Sequence, residues 1–514
     1  MRRKLLYVAA ALGVLLLVAI GAGWYAAGRI NPTARDTVVR ALEQKMQSDV
    51  ELESAEVSFM PGASAVLRKL KLRHHGRTDV PPFIEIDEAH VFTDYFALTA
   101  KPLRIDRVVL KGLRIHIPPK EPGQPRFMAR SAGKGKPAPE FVISRVIADG
   151  TVLTILPRDP AREPLVWEMK KLALRSAGPK EAMHFDTILT NAKPPGEIVS
   201  QGRFGPWNAE SLGDTPVNGE FTFDKADLSV FNGIAGILSS KGNYHGVLGR
   251  IETNGTTDTP DFRLGETGNK VPLKTEFHAI VDGTDGDTYL RAVKAMLGST
   301  PIVCEGSVSG QPGVKGKTIE LQTSIASGRI DDLLRLAVPM PKPPLAGQIR
   351  LRAKLVIPPG DVDVVRKLRL AGKFSMDQVR FTDKEIQDKL IGMSQRAQGK
   401  PKQEPETPIT SHFDGNFAVA RGTIRLDKLL FTIPGAEVQL AGKYGMRSEE
   451  IEFTGRLRMQ ARVSQTFTGV KRWLLKPVDP FFAKDGAGAV IPIKIGGTRT
   501  QPQFGLNMRA RKKE

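Results

Sequence analysis

A mainly β chain, tethered by one N-terminal transmembrane helix and carrying few other helices, is predicted by three observations: recurrent period-two alternation, dense Gly and Pro punctuation, and a single uncharged apolar run at the start. The 50 Gly and 37 Pro make up roughly one residue in six, which suits many short inter-strand turns better than a helical bundle. With 40% hydrophobic and 25% charged residues, the chain has too much apolar material for general disorder.

The first element is the run Leu5 to Gly28, which contains no charged side chain. As a helix it would rise about 36 Å, enough to cross a hydrocarbon core of about 30 Å. Arg2, Arg3 and Lys4 precede it, so the positive-inside rule places residues 1–4 in the cytoplasm and everything after Arg29 across the membrane. Trp24 and Tyr25 fall where an interfacial belt would lie. The small residues Ala26, Ala27 and Gly28 would suit a cleaved signal peptide, but the apolar run exceeds the roughly 7–15 residues of such peptides, which favours an uncleaved anchor.

Beyond it, Pro32 to Gln47 places Val38, Leu42 and Met46 at helical spacing. The period then becomes two. Leu113, Ile115 and Ile117 alternate with Arg114 and His116; Leu273 to Val281, Ile319 to Ile325, Ile349 to Ile357 and Leu368 to Met376 alternate likewise. The longest alternation, Ile451 to Val463, predicts a strand of about 43 Å. Two later helices are expected. Thr382 to Gln398 opens with a capping-box pattern, Thr382 with Glu385, and sets Ile386, Leu390, Met393 and Ala397 on one face; Arg329 to Leu336 is the other. PGEIVSQGRFG from Pro195, TPIVCEGSVSG from Thr300 and PGAEVQLAGKYG from Pro434 share a turn, an alternating strand and a closing Gly, the mark of a repeated unit. Pro118 to Glu140 and Gly399 to Pro408 lack apolar periodicity and read as surface excursions.

The usual carriers of catalysis do not occur at useful spacing. There is no HExxH, GxSxG, GxxxxGK[ST] or GxGxxG motif, so no metal, cofactor or catalytic residue is expected. His74 and His75 are adjacent on a strand-like stretch and would point to opposite faces. Asp331 with Asp332, and Glu449 with Glu450, read as solvated caps or turn residues, and Asp258 and Asp261 as Asx-type turns. Cys304, the only cysteine, reads as a small core residue. A formal charge of +20 would attract any polyanion, but no zinc-finger spacing, aromatic RNA-binding pattern or basic helix points to nucleic acid. The tail Arg509, Arg511, Lys512 and Lys513 reads as a solvated end.

Two stretches carry a resemblance. The run Ile234 to Leu264, with Gly255, Thr256, Thr257, Asp258, Thr259, Pro260, Asp261 and Phe262, is similar to the central signature of AsmA-like proteins. Phe413 to Gly505, with Lys476, Pro477, Asp479, Pro480, Phe481, Phe482, Gly496, Gly497 and Pro502, resembles the C-terminal region of the same family. What the resemblance implies is a long curved repeating β-groove, polar outside and apolar inside, held at the inner membrane by a single pass and reaching into the periplasm. It also implies a non-enzymatic role in envelope biogenesis and phospholipid movement toward the outer membrane. The expected organisation is then a cytoplasmic N-terminus (1–4), an anchor (5–28), an N-terminal periplasmic β region (29–233), a central groove region (234–412), the AsmA-like C-terminal region (413–505) and a basic tail (506–514). Phe277, Leu351, Leu355, Phe374, Phe417, Val438, Leu440, Ile451, Phe453, Leu457 and Met459 are the candidate lipid-facing residues, on strand parity. The competing expectation is a scaffold or regulator of outer-membrane protein assembly, its partners paired to exposed sheet edges.

Overall fold

A computed structural model describes residues 35–36, 39–40, 43 and 48–507, the last without 59–61, 75–78, 95–96, 98–102, 118–140, 156–164, 178–181, 193, 207–211, 232, 266–267, 284–285, 312–313, 315, 339, 361, 363, 402–408, 468–473, 475 and 484–487. The anchor Leu5 to Gly28 with its Arg2, Arg3 and Lys4 flank, the segment Pro118 to Glu140, His75 and the tail Arg509 to Lys513 lie outside the described residues. Of Pro32 to Gln47, the described residues Arg35, Asp36, Val39, Arg40 and Glu43 are helical. Among the described residues no helix is long and apolar enough to cross a membrane. The chain is mainly β and divides into two compact units. One runs to Asp227 and adds Leu238–Gly255 and Ile280–Gly286; the other takes Leu228–Ile237, Thr256–Ala279 and Asp287 onward.

In the first unit, β1 (Ser48–Glu51) and β2 (Ser54–Ser58) both pair with β3 (Ala63–His74), which pairs with β4 (Ile84–Thr93). Then come β5 (Leu103–Lys111), β6 (Arg114–Ile117), β7 (Phe141–Ile155), β8 (Leu165–Ala177), β9 (Met183–Ala192), β10 (Pro195–Phe204) and β11 (Pro216–Asp227). All these pairings are antiparallel except those of β7 with β5 and β6, which are parallel. Parallel neighbours need a connection of a dozen residues or more. Residues 118–140, Pro- and Lys-rich, supply that connection. Leu67, Leu70, Leu72, Ile84, Ile105, Leu110, Leu113 and Ile115 are fully buried, a closed core in which each such side chain contributes about 1.5–3 kcal/mol.

The next strands are β12 (Ile234–Ala235), β13 (Ile237–Val247), β14 (Arg250–Thr259), β15 (Arg263–Leu264) and β16 (Leu273–Val281), with β12 and β15 paired in a small ladder of their own. In the second unit an antiparallel meander follows: β17 (Thr288–Leu297), β18 (Thr300–Gly310), β19 (Lys317–Arg329), helix α1 (Ile330–Ala337), β20 (Leu345–Ile357), β21 (Arg369–Phe381), helix α2 (Lys384–Ala397), β22 (Ser411–Ala420), β23 (Thr423–Ile433), β24 (Ala436–Gly445), β25 (Ile451–Met459), β26 (Ala489–Gly497) and β27 (Pro502–Leu506). From β17 on, each strand pairs with its sequence neighbour. The three repeat copies are β10, β18 and β24. Each is entered from a two-residue turn, between the pairs Ala192↔Pro195, Leu297↔Thr300 and Ile433↔Ala436.

Several local expectations are corrected. Asp383, not Thr382, caps α2, accepting from the N–H groups of Glu385 and Ile386, because the Thr382 hydroxyl is committed to the Pro343 carbonyl. Ile386 is 45% exposed, so the helix buries only Leu390, Met393 and Ala397 of the expected face. The strand from Ile451 ends at Met459, short of Val463: the Ala461 N–H turns to the Ala397 carbonyl and the Ser464 N–H to Asp479, drawing the chain out of the ladder. Asp332 is not solvated. At 5% exposure its carboxylate accepts from the Ser299 N–H and from the Ser299 and Thr300 hydroxyls, tying α1 to the β17–β18 hairpin. Asp261 likewise reaches beyond a local turn, accepting from the Ile237 N–H, whereas Asp258 faces solvent beside Lys274.

Candidate functional site

Residues directly opposite one another in a sheet project from the same face. In the second unit, register therefore assembles rows across successive strands. One runs Ile325, Leu351, Phe374, Gly415, Leu429, Leu440, Gly455, Ile493. The next runs Thr323, Ala353, Gly372, Phe417, Leu426, Gly442, Phe453, Ile495. A third, toward one margin, holds Leu321, Leu355, Leu370, Val419, Ile424, Tyr444 and Ile451; a fourth, toward the other, holds Ile349, Met376, Phe413, Phe431, Val438, Leu457 and Ile491. Of the intervening residues, Arg352, Lys373, Gln439, Lys443, Thr454 and Arg456 are exposed.

The fourth row is roofed. Ile330, Leu333 and Leu334 of α1 pack on Ile349 and Met376, and Leu390, Met393 and Ala397 of α2 share a core with Phe431, Met459, Leu457 and Ile491. Phe482 joins that core, and Asp479 fixes the turn Val463–Thr466 through the N–H and hydroxyl of Ser464, so the DPFF segment serves to close this margin. The other rows stay mostly half-exposed, although their side chains are large and apolar.

Half-burial without a roof implies concavity, and one contact supports it. Met340 follows α1 at the margin where β20 begins, while Arg499 lies in the turn after β26, at the strands' other end. Their side chains nevertheless meet, Nη1 to Sδ 3.7 Å, with Arg499 also held by Glu449. Six strands would stand about 29 Å apart along a flat ribbon. A twist of about 20–25° per strand turns the two margins to the same side, and coiling brings them together.

Glycines set the floor of this face. A Cβ on Gly442 would stand 2.0 Å from the Glu452 carbonyl oxygen and 2.7 Å from the Phe453 ring; one on Gly415 would meet the Phe374 ring at 3.1 Å. The two aromatic rings thus lie across their glycine neighbours instead of standing off the sheet, which leaves a low apolar surface. Of the polar groups here, the Thr323 hydroxyl in the second row meets the Cys304 sulfur at 3.5 Å, and on β14 and β16 Thr257 meets Thr275 at 2.7 Å.

Of the sequence-derived candidates, Leu351, Leu355, Phe374, Phe417, Leu440, Ile451 and Phe453 fall in the half-exposed rows. Phe277 is half-buried on β16. Val438 (7% exposed) is buried between Phe431 and Leu457, and Met459 and Leu457 belong to the core that α2 covers. Leu429, Tyr444, Ile493 and Ile495 complete the rows and escaped the parity argument, and Ile325, which lies within the expected alternation, joins them. Among the described residues no group of His, Cys, Asp or Glu could hold a metal ion. No family model, curated protein or solved structure matches the chain.

Proposed function

We propose that this chain is a non-enzymatic envelope-biogenesis protein, anchored in the inner membrane by Leu5 to Gly28, that binds or conducts phospholipid along the apolar face of its second unit as along a groove. The observation that carries the reading is the half-exposed apolar rows: a monomeric surface rarely leaves so large an apolar area in water without a ligand or partner for it. Acyl chains suit it because the floor is apolar, its Thr323 hydroxyl is already partnered, and the described rows contain no charged residue that a hydrocarbon would have to desolvate. The resemblance to AsmA-like proteins points the same way.

Photo-crosslinkers at Leu440 or Phe453 should capture phospholipid from cells, identified by mass spectrometry, and the same probe at Gln439 or Thr454 should not. Those positions alternate between the two faces of β24 and β25. Equal capture at both parities, or none at either, would refute the reading.

A further inference from the structure

The rows of the apolar face hold no charged residue, so an amphiphile lying on them meets ionised groups where a row ends. The third row ends at Tyr444 and Ile451. Beside that end stand Glu449, in the hairpin between β24 and β25, and Arg499, in the turn between β26 and β27. The two residues are fastened to each other. The Arg499 N–H donates to the Glu449 carbonyl at 3.0 Å, and its Nε and Nη2 both donate to Glu449 Oε1, at 3.1 and 2.9 Å. The Arg499 pKa is raised, by the Glu449 carboxylate first and by Tyr444 to a smaller extent, which puts the guanidinium beside the aromatic end of the row.

What the pair leaves over is specific. Both side-chain bonds end on Oε1, and Glu449 Oε2 carries no hydrogen bond among the described residues. On the arginine, Nη1 points at the Met340 sulfur, 3.7 Å away, and a thioether is a weak acceptor. Both side chains can be reached from solvent, Arg499 being 45% exposed and Glu449 36%. A phosphate oxygen would displace the sulfur, because a guanidinium–phosphate bond is charge-assisted on both sides. The rim of a charge-free apolar face thus offers one under-used cationic donor and one unused anionic acceptor, side by side and of zero net charge.

Charge selects the headgroup. A net-anionic one would satisfy Arg499 but set its surplus negative charge against Glu449, a like-charge contact that costs affinity. A headgroup whose phosphate is joined by a short ethylene bridge to an ammonium answers both residues at once. We propose that Arg499 and Glu449 recognise the headgroup of a zwitterionic phospholipid, Arg499 taking the phosphate in place of the Met340 sulfur and Glu449 taking the ammonium, with the acyl chains along the apolar rows. The proposal rests on the lipid reading and adds to it a lipid class and the two residues that select it.

The test uses the full-length chain with the photo-crosslinker at Leu440, offered vesicles with equal parts of phosphatidylethanolamine, phosphatidylglycerol and diacylglycerol of the same acyl chains. Wild type should capture phosphatidylethanolamine in preference to phosphatidylglycerol, and Glu449→Gln should abolish that preference. In Arg499→Gln the ratio of phospholipid to diacylglycerol captured should fall about tenfold, as the loss of one charge-assisted bond would give. Arg499→Lys, which keeps the cation, should restore most of it. An unchanged ratio in Arg499→Gln overturns the proposal, and so does a wild type that takes phosphatidylglycerol as readily as phosphatidylethanolamine. Glycerophosphoethanolamine, the headgroup without chains, should compete poorly; competition equal to that of the whole lipid would make this a site for a soluble phosphate ester and overturn the proposal. A wild type in which no lipid of any class reaches Leu440 is the one outcome that refutes the lipid reading as well.

Discussion

Two substitutions on one strand separate an open apolar face from a closed core. Val438 and Leu440 project from the same side of β24, yet Val438 is buried between Phe431 and Leu457, which pack on the α2 core, and Leu440 lies in the half-exposed row beside Gly455, which has no side chain to crowd it. Asp at 438 forfeits about 1.5–3 kcal/mol of apolar burial. It must also be buried charged or be protonated, and protonating a carboxyl of ordinary pKa about 3.9 at pH 7 costs about 4 kcal/mol. The sum is about 6 kcal/mol, enough to unfold most of the second unit. Asp at 440 can hydrate and should lose only about 1 kcal/mol of partial burial. Urea unfolding of the two variants, followed by far-UV circular dichroism at pH 7 and pH 5, measures this. The Val438→Asp penalty should shrink by about 2.7 kcal/mol at the lower pH, where protonation is easier, and the Leu440→Asp penalty should barely change. Equal losses at the two positions would mean that the face is a closed core throughout, and the groove argument would fall.

Asp332→Ala strands the Ser299 N–H, while the Thr300 hydroxyl keeps the Arg329 carbonyl as acceptor, and should cost about 2 kcal/mol by denaturant midpoint; Asp331→Ala, which removes an ion pair with the exposed Arg329, should cost under about 1 kcal/mol. Gly442→Val would drive a Cβ into the Glu452 carbonyl and displace the Phe453 ring, so the variant should lose at least about 2 kcal/mol and fail to crosslink lipid at Phe453. The Lys317 ammonium, and next the Gly310 N–H, hold the Asp287 carboxyl below the ordinary carboxylate range. A depressed folded-state pKa stabilises above the unfolded value of about 3.9 and the benefit is lost as pH falls through the folded one. The melting temperatures of wild type and Asp287→Asn should therefore differ at pH 7 and converge below about pH 3.

Fold class was legible because alternation is a local signal: Leu273 to Val281 matches β16 residue for residue, and both helices appear within two residues of their expected starts. The site was half legible, for two physical reasons. A register irregularity between Leu426 and Leu429, opposite Asn416 and Phe417, changes parity within β23, so Leu426 and Leu429 share a face although three positions apart, and a strict period of two misassigns one of them. The roof is the second. Nothing near Ala436 in sequence announces that α2, some forty residues earlier, shares a core with it, so burial by tertiary packing could not be read from β24 alone. The extended alternation past Met459 failed for the same reason, since its end is set by Ala397 and Asp479.

The neighbour-to-neighbour pairing from β17 to β27 has a consequence for how such a sheet comes into being. Every strand is templated by the one made just before it, so loop-closure entropy is met in small instalments and the sheet can zip forward as the chain lengthens, without waiting for distant segments. At each moment the growing end exposes an unsatisfied strand much like β27. Length is then a free variable: adding or deleting a hairpin shifts the terminus but leaves the cross-section, the roofed margin and the character of the final edge as they were.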